Sequence, residues 1–226
     1  MENKKEFTIK DSVVEFYDDT HTYLIDGIKT LSATQIGQLI NPFKIMNIPS
    51  HILQNAGERG TKIHEAIEQY LTDGTFMLSE DDPHYGYFEA FLKFYDEHGK
   101  DLEIESLEHI AISKEYSVPL VGTIDFRGKY KGEPIIIDWK TSSMPTLPEW
   151  RTQLSIYREL VRYTHGIEEV NAYILWLKKD GTYEFLSIAP MKPEYFKLMM
   201  ELLEYTSVIE RFNLLKYEVY GDELSK

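Results

Sequence analysis

The spacing of apolar residues changes along the chain, and each spacing predicts a different element. Apolar and polar positions alternate over residues 13–31 around Asp26-Gly27, a strong hairpin dipeptide, which predicts a short β-meander. Ser32 followed by Gln35 matches a capping box and predicts a short helix directly after the meander, ending near an Asn-Pro dipeptide. The first part of the chain is therefore expected to be a small sheet followed by a helix.

A helical spacing of apolar residues begins after this region. It predicts a helix from about Ser50 to Leu71, with a bend or break around Gly57 and Gly60 and a stop at Gly74. The stripe that would face the core consists of Ile63, Ala66, Ile67, Tyr70 and Leu71.

The rest of the chain mixes helical and strand patterns without an internal repeat or a linker. The predicted elements are a helix at 83–98, strands at 102–116, 120–130 and 134–140, a helix at 149–164, a hairpin of 170–178 and 182–189, and a helix at about 193–215. This order predicts a mixed α/β fold in one domain of residues 1–226.

Composition narrows the class of protein. The chain of 226 residues is 42% hydrophobic and 13% aromatic, which is typical of a folded domain. It contains no cysteine, which excludes disulfides, thiolate nucleophiles and iron–sulfur clusters and fits a cytosolic protein. The sequence shows neither a membrane-length apolar run nor the apolar core of a signal peptide.

Charge is unevenly distributed. The formal net charge of −14 lowers the odds of a nucleic-acid partner. Residues 111–165 nevertheless carry eight Lys and Arg against six Asp and Glu, whereas residues 73–108 carry eleven acids against two lysines. A locally basic face on an acidic protein is therefore compatible with this sequence.

The strand at 134–140 ends in an unusual way. Its isoleucines are typical of a sheet interior, yet it runs directly into Asp138-Trp139-Lys140. Alternation places Asp138 and Lys140 on one face, and the tight turn after the preceding strand predicts an antiparallel neighbour that carries Asp125. Two carboxylates and a lysine are therefore expected to converge on one face.

Two interpretations of this convergence are open from the residues alone. Converging carboxylates repel each other, which favours a shared proton or a bound cation such as Mg²⁺ or Mn²⁺. A neighbouring lysine could then orient or deprotonate a water, or stabilise charge on a phosphate. The alternative is an ordinary ion pair between Asp138 and Lys140 at a solvated strand end.

Two helices offer further polar residues. His64 and Glu68 lie one turn apart at the edge of the first helical stripe, where both could face the sheet. Gln153 and Tyr157 share an edge of the helix at 149–164. Taken singly, the histidine is more typical of a hydrogen-bonded core residue, and the other pair of ordinary amphipathic packing.

In this order, the segments RGTKIHE, GTID, IIIDWKTS and QLSIY resemble the RecB-like branch of the PD-(D/E)xK nuclease superfamily. That branch includes the RecB nuclease domain, CRISPR-associated RecB-like exonucleases and the mitochondrial genome maintenance exonuclease. The resemblance implies a restriction-endonuclease-like core, with a central mixed sheet flanked by helices, in residues 49–190. Residues 1–48 would form the N-terminal meander and short helix, and residues 191–226 a C-terminal helix and tail.

The resemblance also implies roles for individual residues. Asp125 and Asp138 would ligate a metal ion, with the backbone carbonyl of Trp139 as a further ligand. His64 would complete the metal shell, as the histidine of the RecB-like helix motif does. Lys140 would be the catalytic lysine.

Other positions follow the family pattern less directly. Gln153 and Tyr157 match the Q-x-x-x-Y motif, which lies beside the active site in this family and would position DNA or the lysine. Glu68 would support the metal site, and Glu115 is a further acidic candidate. The proline of the family name is absent, since Ile124 precedes Asp125.

The implied activity is metal-dependent hydrolysis of DNA by an exonuclease acting on single strands or ends in recombination, replication or repair. It would use Mg²⁺ or Mn²⁺ without an iron–sulfur cluster or ATP, since the sequence lacks cysteine and a Walker motif. The expected setting is the cytoplasm of a bacterial or phage-infected cell, with a recombination or replication protein as partner. Two alternatives are a catalytically silent nuclease fold that binds DNA or protein, and an acidic DNA mimic.

Basic and aromatic residues near these motifs are candidates for contacts with DNA. Trp150 and Tyr157 could stack on unpaired bases, although core packing is the commoner role for such residues. The candidates for phosphate contacts are Arg59, Arg127, Lys129, Arg151, Arg158 and Arg162.

Overall fold

The computed structural model describes residues 4–39, 49–75 and 78–220, with side chains up to residue 207. The N-terminal part is a four-stranded antiparallel sheet in the order β1-β2-β3-β4. Its strands are β1 Lys4–Ile9, β2 Ser12–Tyr17, β3 Thr22–Ile25 and β4 Ile28–Thr30. The predicted meander is therefore confirmed, and β1 extends it by one strand.

Two local signals in this region are confirmed as well. Asp26 and Gly27 both have positive φ, 51° and 78°, as a two-residue hairpin turn requires. The capping box of Ser32 and Gln35 forms reciprocally, because each backbone N–H donates to the other residue's side-chain oxygen. Helix α1 (Ala33–Leu39) follows, and the predicted end of this helix at Asn41-Pro42 lies outside the described residues.

The second sheet has five strands in the order β5-β6-β7-β8-β9. All neighbours are antiparallel except β7 and β8, which are parallel and joined through helix α4. The strands are β5 Leu102–Ser113, β6 Leu120–Tyr130, β7 Glu133–Lys140, β8 Asn171–Leu177 and β9 Tyr183–Ser187. The helices are α2 Ser50–Asp73, α3 Tyr85–His98, α4 Leu147–His165 and α5 Pro193–Tyr220.

Both faces of this mixed sheet are covered by helices. The core on one face contains Ile136 of β7, Leu154 of α4 and Met200 of α5. The core on the other face joins Ile135 and Ile137 to α2 and α3. The predicted fold class, a mixed α/β protein with a central mixed sheet flanked by helices and an N-terminal antiparallel sheet, is confirmed.

Helix α2 differs from its prediction in one respect. The expected break at Gly57 and Gly60 is wrong, since the helix is continuous from Ser50 to Asp73. A side chain at either glycine would meet no atom within 4 Å, so both positions are free of close packing that could distort the helix. The predicted stop is correct, because Gly74 ends the helix in the left-handed conformation with φ 77°.

Within the described part of the chain, no helix has both the length and the hydropathy needed to cross a bilayer.

Candidate active site

The site is located where strands β6 and β7 separate. Their ladder runs from Tyr130 opposite Glu133 up to Phe126 opposite Ile137. The ladder ends at that pair, and beyond it the backbone N–H of Trp139 donates to Asp125 Oδ2 at 2.7 Å. A carboxylate therefore takes the place of a ladder carbonyl at the point where the strands separate, and both Asp125 and Asp138 are buried there.

The first group of site residues, called here the metal cluster, consists of His64, Glu108 and Asp125. One ligand atom from each lies within 4.8 Å of the others. His64 Nδ1 lies 3.5 Å from Glu108 Oε1 and 3.7 Å from Asp125 Oδ2, and Nε2 lies 3.2 Å from the carbonyl oxygen of Trp139. The structure therefore brings His64 and Asp125 together with Glu108, while the carbonyl of Trp139 contacts the other ring nitrogen of His64.

The chemistry of the metal cluster fits a divalent cation. Glu108 Oε1 is buried without a hydrogen-bond partner, which is a costly arrangement unless a cation or proton compensates it. Carboxylate and carbonyl oxygens with one imidazole are ligands that hard and borderline divalent metals accept. The metal cluster therefore offers ligand atoms that could still bind a cation.

Electrostatics in the cluster reflect the crowding of acids. Burial raises the pKa of the Asp125 carboxyl well above its usual range, and the charges of Asp138 and Glu108 act in the same direction. Burial lowers the pKa of His64, but the charges of Asp125 and Glu108 outweigh that effect and raise the pKa to about 9. A bound cation would take the place of the protons that offset the negative charge of these carboxylates.

The second group, called here the lysine cluster, consists of Asp138, Lys140, Gln153 and Tyr157. Lys140 Nζ lies 2.6 Å from Asp138 Oδ2 and donates to Gln153 Oε1 at 3.0 Å. Gln153 Nε2 lies 2.9 Å from both Asp138 Oδ1 and the Tyr157 hydroxyl. Asp138 thus contacts Lys140 and Gln153, and the metal-binding role that the family resemblance implied for it stays a prediction.

The lysine cluster is held rigidly by its surroundings. Asp138 and Gln153 are 1% and 2% exposed. The Tyr157 hydroxyl donates to the carbonyl oxygen of Thr123 at 2.6 Å, and Gln153 Nε2 also lies 3.1 Å from Thr34 Oγ1 on helix α1. Burial lowers the pKa of Lys140, but the charges of Asp138 and Asp125 outweigh it and raise that pKa above its usual value.

Glu108 is the site residue that sequence reasoning missed. On β5, Leu107 lies opposite Phe126 and His109 opposite Ile124, so Glu108 occupies the position across from Asp125. Its φ of 42° is unusual for a strand, and the register of β5 shifts between Ile104 and Ser106, shortly before it. The sequence signal was an acid after Leu107 in a strand pattern, but the irregular backbone hides which face of the strand that acid takes.

The two weaker acidic candidates lie in different places. Glu68 borders the same cleft as His64, and burial together with the charge of Glu108 raises the pKa of its carboxyl. Glu115 instead pairs with Arg162 and lines a separate cavity of about 580 Å³ beside α4 and α5. Only Glu68 is therefore near the metal cluster.

Most of the basic candidates are engaged within the fold. Arg127 and Lys129 pair with acids of the neighbouring strand β5. Arg158 donates to the carbonyl oxygens of Val170 and Ile188, and burial lowers the pKa of its guanidinium to about 10. Arg151 is exposed on α4, and Arg162 pairs with Glu115 and Glu159.

Arg59 is the basic candidate nearest the site. It lies on α2 one turn before His64, and its Nε donates to Thr141 Oγ1, directly after Lys140, at 3.4 Å. The guanidinium also stacks over Tyr87 at 5.3 Å. The suggested stacking of bases on Trp150 and Tyr157 is wrong, because these side chains are only 1% and 2% exposed.

Gly122 allows Tyr157 to lie against strand β6. A Cβ at this position would be 2.7 Å from Tyr157 Cε1 and 3.2 Å from Ala33 Cβ. Gly122→Ala is therefore expected to destabilise the fold by about 1–3 kcal/mol and to lower activity by displacing the Tyr157 ring. Thermal unfolding would measure this, at about 2–4 °C per kcal/mol.

The control is the same substitution in open space. Gly57→Ala on α2 meets no atom within 4 Å and is expected to raise the melting temperature slightly, since alanine favours helix over glycine by about 1 kcal/mol. Shifts of the same sign in both variants would contradict the packing argument.

Comparison with known proteins adds distant structural likenesses. No protein-family model and no curated protein matches the chain. The crystal structure of SSO0001 is 15% identical, with a TM-score of 0.45 and 86% of both chains covered. An alkaline exonuclease from Laribacter hongkongensis is 14% identical, with a TM-score of 0.43 and coverage of 84% of this chain and 94% of that one.

A third structure shows a similar degree of likeness. It is described as a putative exonuclease from Eubacterium rectale and is 12% identical, with a TM-score of 0.43 and coverage of 71% of this chain and 66% of that chain. All three TM-scores are below 0.5, so the likeness to these structures is distant.

Proposed function

We propose that this protein is a metal-dependent nuclease of the RecB-like PD-(D/E)xK type that hydrolyses phosphodiester bonds in DNA. One observation carries the proposal. Where β6 and β7 separate, the metal cluster lies next to a partly buried lysine that is oriented by Asp138 and Gln153. A simple ion pair at a strand end would need neither the histidine nor the buried Glu108 oxygen.

The proposal assigns a division of labour to the two clusters. His64, Glu108 and Asp125 would hold Mg²⁺ or Mn²⁺, with the carbonyl of Trp139 nearby. The bound metal would polarise the scissile phosphate and acidify a water. Lys140 is the group of the chain that would stabilise developing negative charge.

The geometry explains how Lys140 could act in this way. An ammonium group has three N–H donors, and the contacts with Asp138 and Gln153 occupy two of them. The third remains for a phosphate oxygen or the attacking water. Since Asp138 and Gln153 are themselves buried, the ammonium needs little rearrangement to reach its working position.

The finer parts of the proposal concern the biological role. Residues 1–226 would act as a single nuclease domain with exonuclease action on single-stranded DNA or DNA ends. The work would belong to recombination, replication or repair in the cytoplasm of a bacterial or phage-infected cell, without ATP or an iron–sulfur cluster. Arg59 is the basic residue best placed to contact the phosphate backbone.

A cleavage assay tests the proposal. Purified protein incubated with end-labelled single- and double-stranded DNA is expected to cleave with Mg²⁺ or Mn²⁺ and to stop with EDTA. Linear and covalently closed circular single strands separate the two modes, because an exonuclease leaves the circle intact. Binding without cleavage under every metal condition would overturn the nuclease proposal and favour a silent binding module.

A further inference from the structure

A cleft of about 530 Å³ opens beside the metal cluster. Helix α2 contributes Gly60, Thr61 and His64 to its lining, and β5 contributes Glu108. The N-terminal sheet contributes Lys5, Phe7 and Phe16, and the turn before β3 contributes His21. Two parts of the chain that are distant in sequence therefore enclose the space in front of the proposed site.

Part of the N-terminal sheet packs against β5 and β6, and part of it lines the cleft. Val14 and Phe16 of β2 belong to a core with Ile112 of β5 and Val121 of β6. On the edge strand β1, the residues opposite Val14 and Phe16 are Phe7 and Lys5, which places them on the same face. Ile9, on the same face of β1, packs against this core, whereas Lys5 and Phe7 line the cleft.

Phe7 is the unusual residue of this part of the sheet. Its side chain is 37% exposed although it lies on the inner face of the sheet. Lys5 lies two residues before Phe7 on the same face of β1. Its Nζ forms an ion pair with Asp18 at 2.9 Å and lies 5.9 Å from the centre of the Phe16 ring. An aromatic face next to an ammonium group is a combination that binds a base and its phosphate.

We propose that Lys5 and Phe7 form a subsite for an unpaired nucleotide of the DNA strand that enters the metal cluster. The base would stack on Phe7 and a phosphate would contact Lys5. This inference rests on the proposed nuclease function, because it assigns the strand that this site would cut.

The dimensions and charges of the cleft favour a single strand. A volume of about 530 Å³ is in the range of small-ligand pockets, about 300–1,000 Å³, which suits an unpaired nucleotide. Asp18, Glu65 and Glu68 also line it, so a phosphate chain would be repelled without a cation in the metal cluster and Lys5 at the rim. Substrate binding is therefore expected to need a divalent ion as well as Phe7.

The test compares binding and cleavage in matched variants. Binding of a fluorescein-labelled 12-nucleotide single strand is measured by anisotropy with Ca²⁺ present, and cleavage of the same strand with Mn²⁺. Phe7→Ala is expected to weaken binding and raise KM at least about fivefold with kcat nearly unchanged, while Phe7→Trp retains both values. The control is Val13→Ala. Val13 is an apolar residue of the same sheet that is 42% exposed, and its neighbour in sequence, Val14, lies on the packed face.

Each outcome has a defined meaning. Equal binding by Phe7→Ala and the wild type, or an equal loss on a blunt duplex of the same sequence, would overturn the subsite. Wild-type binding that depends on Phe7 but is never followed by cleavage would overturn the nuclease function and leave the subsite supported. Absence of binding to the single strand by the wild type would overturn the subsite even if duplex DNA is cleaved.

Discussion

Replacement of Asp138 by asparagine is expected to reduce metal-dependent DNA cleavage by at least about a hundredfold while leaving the fold intact. The asparagine side chain has nearly the same size, and its oxygen could still accept the hydrogen bond from Gln153 Nε2. The variant would lose the negative charge 2.6 Å from Lys140 Nζ, which orients the ammonium group. The initial rate on end-labelled single-stranded DNA is the measurement, with circular dichroism to verify folding.

A matched control is available on the same strand. Glu133→Gln makes the same carboxylate-to-amide change at the exposed start of β7 and is expected to leave the rate unchanged. Lys140→Met should match the loss in Asp138→Asn, because the two residues act as one unit. Retention of more than a third of the activity in Asp138→Asn would refute this role for the pair.

Substitutions of Asp125 are expected to reduce DNA cleavage and thermal stability separately. Asp125→Ala removes a proposed metal ligand and leaves the buried N–H of Trp139 without its acceptor, at a cost of about 1–3 kcal/mol. Asp125→Asn offers an amide oxygen to that N–H but binds the metal poorly. Both variants should lose cleavage, while only the alanine variant should melt several degrees lower, at about 2–4 °C per kcal/mol.

Thermal unfolding with EDTA separates these effects from metal binding. Asp96→Ala, an exposed change on α3, serves as the reference and should melt like the wild type. If Asp125→Asn melts as low as Asp125→Ala, the hydrogen bond to Trp139 does not contribute to stability as the geometry implies.

Local rules predicted most of the fold because the residues that determine it are close in sequence. The alternation of Ile135, Ile137 and Trp139 against Asp138 and Lys140 is confirmed, since strand geometry alone decides it. The capping box and the Asp-Gly turn are confirmed for the same reason. Each depends on neighbours within a few residues.

The site was only partly predictable because its members meet through register and packing. Glu108 faces Asp125 through a strand with a shifted register, and no local pattern gives the size of that shift. The position of Phe7 at the cleft depends on which part of β1 packs against the core. Helix α2 likewise continues through two glycines, because the stability of the whole helix outweighs the low helix propensity of these two positions.

The two-residue turn between β6 and β7 also limits how this chain can change in length. Lys131 and Gly132 both have positive φ, and every pair in the ladder is symmetric about them. Lengthening the hairpin by one residue in each strand would keep Asp125 in register with the N–H of Trp139 from which it accepts, whereas a single insertion in one strand would shift that register by one residue. In homologues that retain a two-residue turn, the interval between these acids should therefore be an odd number of residues, as the thirteen here are.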